Sequence, residues 1–196
     1  MLIRFVLKPL VFVLFALPGA MLAYAYVDGA LIASPFRTII QETGLWSVRF
    51  LVLSLAIGPL IAWSGWTWPV RLRRMIGLFG AAYAYIHLLA WMRQYAFDWG
   101  FLASEIGSRA WLAIGFASVV LLLPLTATSF DVAHRILGPA RWRRVHLLVY
   151  PALIAAWVHF LLSRRYAGAE LAIEGAVIVI AIVSRARASR RANATT

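Results

Sequence analysis

Long apolar runs, broken by short basic or turn-rich clusters, dominate the chain. A helix crosses the hydrocarbon core of a bilayer with about 20 mostly apolar residues. Six stretches meet or approach that length: 9–27, 45–63, 75–92, 110–129, 145–162 and 169–184. The last is the shortest. The longest connections, 28–44 and 93–109, have no room for a soluble domain. Pro18-Gly19, Gly58-Pro59, Pro124 and Pro151 fall inside spans. Neighbouring helices satisfy the carbonyls that such residues free, so they read as packing kinks. The pattern predicts an all-α integral membrane protein, a six-transmembrane-helix bundle forming a single domain over 1–196. No internal repeat is apparent. The basic tail 185–196 closes the chain and is expected to be disordered, with affinity for anionic lipid.

Charge orients the spans. Arg4, Lys8, Arg71, Arg73, Arg74, Arg135, Arg141, Arg143, Arg144, Arg185, Arg187, Arg190 and Arg191 alternate onto one face, and only Arg37, Arg49, Arg93, Arg109, Arg164 and Arg165 onto the other. The positive-inside rule makes the first face cytoplasmic and places both termini there. Six of the seven acids fall towards the outside; Asp131 is the exception. A formal charge of +12 would suggest nucleic acid in a soluble protein. Here 63% of the residues are hydrophobic and the basic residues cluster between apolar runs, so the charge reads as topology and no nucleic-acid partner is expected. With no cysteine, disulfides and thiolate-held metal centres are excluded. The start of the chain allows two readings. Arg4 and Lys8, an apolar run and Ala23-Tyr24-Ala25 resemble a signal peptide, whereas the length of the run favours a retained first helix.

Four histidines carry the candidate chemistry. His87 and His159 lie deep in the third and fifth spans, which run in the same direction. His87 is 13 residues past Arg74, and His159 is 15 past Arg144. At about 1.5 Å per residue both sit roughly 20–22 Å along their helices. Two imidazoles at one depth on two helices suit axial ligation of a haem between those helices. Ionisable side chains at such depth are costly and tend to be functional. His146 lies about 20 Å below His159, where a second centre would fall, although an ideal helix turns the two about 140° apart. No histidine of the third span is level with His146; Arg74 takes that place, so an inner haem would use Arg74, His134 or no second protein ligand. His134 reads as a solvated loop residue. Arginines and tryptophans in WPVRLRRMIG and GPARWRRVH suit headgroup anchoring, or an anionic electron carrier such as a flavin phosphate or a quinone headgroup. Glu170 and Glu174, one turn apart, read as a wet helix end or as a proton or cation site.

The segments RRMIGLFGAAYAYIHLL, LLLPLTATS and RWRRVHLLVYPALIAAWVHF together resemble the MsrQ family, also called YedZ, in the ferric-reductase-like transmembrane superfamily. The resemblance covers about residues 45 to 185. It implies a haem b-containing electron-transfer subunit of the bacterial inner membrane that also binds FMN. Electrons would pass from the quinone pool or a cytosolic flavin reductase to MsrP. This periplasmic molybdopterin enzyme reduces methionine sulfoxide in oxidised proteins. By position, His87, His146 and His159 match the family's haem-ligand histidines. Relative to the NADPH oxidases, to which this superfamily is distantly related, the chain is expected to lack a C-terminal flavin domain, and its third span has no second histidine. Three other readings stay open: a metalloreductase sharing the haem, a small transporter relaying protons through His87, His159 and Glu170, and a structural membrane anchor.

Overall fold

The structure is a computed structural model that describes residues 3–32, 34–163 and 169–194. A π-helical turn, Ile3–Leu7, leads into α1 (Lys8–Val27). Pro35 opens α2 (Pro35–Ser64), where a missing N–H costs nothing because the first turn has no partner for it. Gly65, at φ 72°, takes the left-handed cap that ends it. A tight link through Pro69 returns the chain as α3 (Val70–Gln94). The outer connection folds as α4 (Trp99–Ser108), capped by Asp98, whose Oδ1 accepts from the Phe101 N–H at 3.0 Å. Then follow α5 (Ala110–Ala127), α6 (Asp131–His146), α7 (Val149–Leu162) and α8 (Ala169–Ala194).

Among the described residues, five stretches are long and apolar enough to cross a membrane: Phe5–Val27, α2, α3, α5 and the run Asp131–Leu162 spanning α6 and α7. The sixth predicted span corresponds to a shorter apolar segment, Ala172–Ser184, within α8. Four features differ from expectation. The loop expected to hold His134 is helix α6, interrupted at Gly138 (φ 68°) before Pro139, which lacks the N–H a continuous helix needs. Residues 147–148 form a turn, so α7 begins at Val149 rather than at 145. The basic tail is helical to Ala194, in keeping with its alanine and arginine content. Glu174 is also buried, at 6% exposure, not at a wet helix end; the side chain of Glu170 lies outside the described residues, as do Arg164 and Arg165.

Two antiparallel pairings, α2 with α3 and α5 with α7, are the most extensive in the molecule. Leu51, Leu122, Ala152 and Leu153 form the shared core where the pairs meet. Helix α8 packs mainly on α2, and α1 lies on the outside with no buried residue. Large apolar side chains such as Leu10, Val13, Leu60, Ile86 and Leu123 are exposed, as a lipid-facing surface requires.

Candidate functional site

Two cavities lie within the paired helices. The first, about 330 Å³, is lined by both deep histidines and by residues of α2, α3, α5 and α7. Its mouth carries Arg37, Gln41, Gln94, Glu105 and Arg109, with Arg109 Nε paired to Glu105 at 3.0 Å. The second, about 450 Å³, is lined by Arg73, Arg74, Arg143, Trp142, His146 and Tyr150. Leu51 and Leu122 line both.

His87 and His159 meet in the first cavity. Their ring centroids are 6.2 Å apart and the planes are inclined at 83°. His87 Nδ1 donates to the Ile40 carbonyl at 2.7 Å, and His159 Nδ1 to the Trp111 carbonyl at 2.6 Å. A carbonyl can only accept, so each Nδ1 carries the proton and each Nε2 the lone pair. Trp111 also stacks on the His159 ring at 5.4 Å. A glycine faces each imidazole. A Cβ on Gly44 would lie 2.8 Å from His87 Nδ1, and one on Gly115 would lie 2.5 Å from His159 Nδ1.

This donor set fits a haem. Two imidazoles facing one cavity from two helices, each with Nδ1 tied to a backbone carbonyl, would hold the iron of such a group. A bare metal ion is a poorer fit: among the described residues no three His, Cys, Asp or Glu side chains group to hold one.

The inner residues are arranged differently. His146 ends α6, donates from Nδ1 to the Trp142 carbonyl at 3.1 Å, and stacks on the Trp142 ring at 3.8 Å. Trp142 Nε1 donates in turn to the Thr128 carbonyl at 2.9 Å. Arg74 lines the same cavity, but its guanidinium is paired with Asp131 of α6. His134 is exposed and lies edge-on to Trp142 at 5.1 Å. No imidazole faces His146 as His159 faces His87.

The site is built twice from one pattern, which corrects the expectation of no internal repeat. On α2, Ile40, Gly44 and Ser47 follow the spacing of Trp111, Gly115 and Ser118 on α5. Ser47 Oγ donates to the Gly80 carbonyl at 2.8 Å, seven residues before His87. Ser118 Oγ donates to the Ala152 carbonyl at 2.8 Å, seven residues before His159. Leu51 corresponds to Leu122, and Arg74 to His146. The signal was present as GLWSV and GFASV, each followed 43 or 44 residues after its glycine by a deep histidine.

Comparison with known proteins places the chain. The family described as "Ferric reductase like transmembrane component" matches residues 43–157, which take in Gly44, His87, Gly115 and His146 and stop short of His159. The protein-methionine-sulfoxide reductase heme-binding subunit MsrQ of Rhodospirillum rubrum is 39% identical over 153 residues, covering 78% of this chain and 74% of the relative. MsrQ of Deinococcus radiodurans is 36% identical over 173 residues, covering 87% and 84%. The magnetosome protein MamZ of Magnetospirillum gryphiswaldense is 32% identical over 180 residues, covering 88% of this chain but 28% of MamZ. No solved structure matches. The chain is an integral membrane protein that belongs to the ferric-reductase-like transmembrane family and to the MsrQ family.

Proposed function

We propose that this chain is the haem-binding, electron-transferring membrane subunit of a protein-methionine-sulfoxide reductase. The observation that carries the reading is the His87–His159 pair, 6.2 Å apart in one cavity with both Nδ1 atoms held by backbone carbonyls. His87 and His159 would hold haem b, which when bound supplies a one-electron carrier inside the membrane. The protein's own work is to orient the rings, to surround the site with apolar walls, and to offer a polar mouth at Arg37 and Arg109. The second cavity is the entry side, where Arg73, Arg74 and Arg143 suit an anionic carrier: an FMN phosphate or a quinone headgroup. His146 would ligate or border a second centre there. Leu51 and Leu122 border both cavities, so a carrier in one would share these two side chains with a carrier in the other.

The basic clusters support an inner-membrane protein with the second cavity and both termini on the cytoplasmic side. Electrons would come from the quinone pool or a cytosolic flavin reductase and leave to a periplasmic MsrP-type molybdopterin reductase beside the first cavity's mouth. The test is to reduce the purified chain, then add the partner reductase with a methionine-sulfoxide protein. Reoxidation of the haem band that requires both additions is expected. Reoxidation by ferric chelates alone would replace this reading with a metalloreductase. A colourless folded protein would favour the transporter.

A further inference from the structure

Each deep histidine is gripped by the same two-part device. The carbonyl that accepts from His87 is that of Ile40, four residues before Gly44, and the one that accepts from His159 is that of Trp111, four residues before Gly115. The spacing has a physical cause. In an α-helix the Cα–Cβ bond tilts towards the N-terminus, so the side chain at i+4 lies over the carbonyl at i. A glycine at i+4 uncovers that carbonyl and lets a donor from the next helix reach it. The geometry recurs elsewhere in the bundle. Ser54 Oγ donates to the Arg73 carbonyl at 3.1 Å beside Gly77, and Tyr83 Oη to the Phe15 carbonyl at 3.0 Å beside Gly19. At the two histidines the same opening does more than join helices, because it fixes where the imidazole proton sits.

We propose that Gly44 and Gly115 are positioning residues that set the orientation and the electron-donating strength of the two axial imidazoles. The proposal rests on the haem reading above. By exposing the Ile40 and Trp111 carbonyls, the glycines hold the proton on Nδ1 and direct Nε2 as the ligating atom. A hydrogen bond from Nδ1 to an acceptor makes Nε2 a stronger donor. A stronger donor favours the oxidised iron and keeps the midpoint potential low. Because the device occurs once on each side of one cavity, both glycines act on the same centre.

The test uses the purified full chain with haem. Gly44→Ala and Gly115→Ala are compared with Gly58→Ala and Gly107→Ala, where an added Cβ meets nothing within 4 Å. Redox titration and ferric electron paramagnetic resonance are read for each. Each of the first two variants is expected to raise the midpoint potential of the same haem, alter its low-spin signal and weaken haem binding at least tenfold. The two controls should match wild type. Wild-type potential and signal in both Gly44→Ala and Gly115→Ala would overturn the proposal. Where Gly44→Ala does not accumulate, Gly44→Ala/His87→Ala is compared with His87→Ala by thermal melting. Equal melting supports the device, since the ring that the Cβ strikes is gone. A large further loss makes Gly44 a plain packing glycine and overturns it. The His87→Ala and His159→Ala variants separate the two claims. If they keep the haem band, the haem reading itself falls; if they lose it while the glycine variants behave as wild type, only the positioning device falls.

Discussion

Beneath each deep histidine a serine makes a buried bond across the helix pair, from Ser47 to the Gly80 carbonyl and from Ser118 to the Ala152 carbonyl. Polar bonds between membrane helices contribute about 0.6 kcal/mol each on average and about 1.7 at most. Ser118→Ala should therefore lower the melting midpoint slightly and leave the haem band in place. A bleached Ser118→Ala protein would show that the serine, through the Ala152 carbonyl seven residues before His159, controls ring placement. At this scale His87 and His159 were legible from the sequence because depth can be counted from the basic clusters, and depth is what brought them together. Their acceptors were not legible. A backbone carbonyl has no residue signature, and the glycines that uncover Ile40 and Trp111 read as ordinary packing glycines.

Helix α1 has no buried residue, yet beyond its apolar and ring contacts it is hydrogen-bonded to α3. Tyr83 Oη of α3 donates to the Phe15 carbonyl at 3.0 Å and accepts the Gly19 N–H at 2.7 Å, beside Pro18, which has no N–H of its own. Tyr83→Phe removes both bonds. It should cost about 1–2 kcal/mol of bundle stability, read as a lower melting midpoint with an unchanged haem spectrum. An unchanged midpoint would mean that α1 is held by lipid and apolar contact alone. Apolar periodicity set most of the long helices, because bilayer thickness imposes their length. It missed α4 and α6, which lie in connections and depend on local caps and breaks: Asp98 for α4, Gly138-Pro139 for α6. The sequence also placed Arg74 level with His146, and both do line one cavity. What it did not reveal is that Asp131 engages the Arg74 guanidinium and ties α6 to α3. Asp131→Asn should therefore release that tie and alter carrier binding at the second cavity while sparing the His87–His159 site; equal damage to both sites would contradict their separation.

At the centre of the molecule two helix pairs, α2–α3 and α5–α7, repeat one pattern around a shared cavity. The repeat escaped the sequence reading because its identities are few, Gly, Ser and His among unlike apolar residues, and because a different connection interrupts each copy. The absence of cysteine makes the proposed orientation testable with single substitutions. In intact spheroplasts a membrane-impermeant maleimide should label Ser104→Cys on α4 and leave Val132→Cys on α6 unlabelled until the membrane is opened. The reverse pattern would invert the proposed topology and with it the proposed direction of electron flow. The central claim is one haem held between His87 and His159. Its most direct measurement is the dithionite-reduced spectrum and pyridine haemochrome of the wild-type chain beside His87→Ala and His159→Ala. The account predicts a b-type spectrum in the wild type and loss of the same haem from both variants, with each variant still inserted in the membrane. A full wild-type haem content in either variant would contradict it.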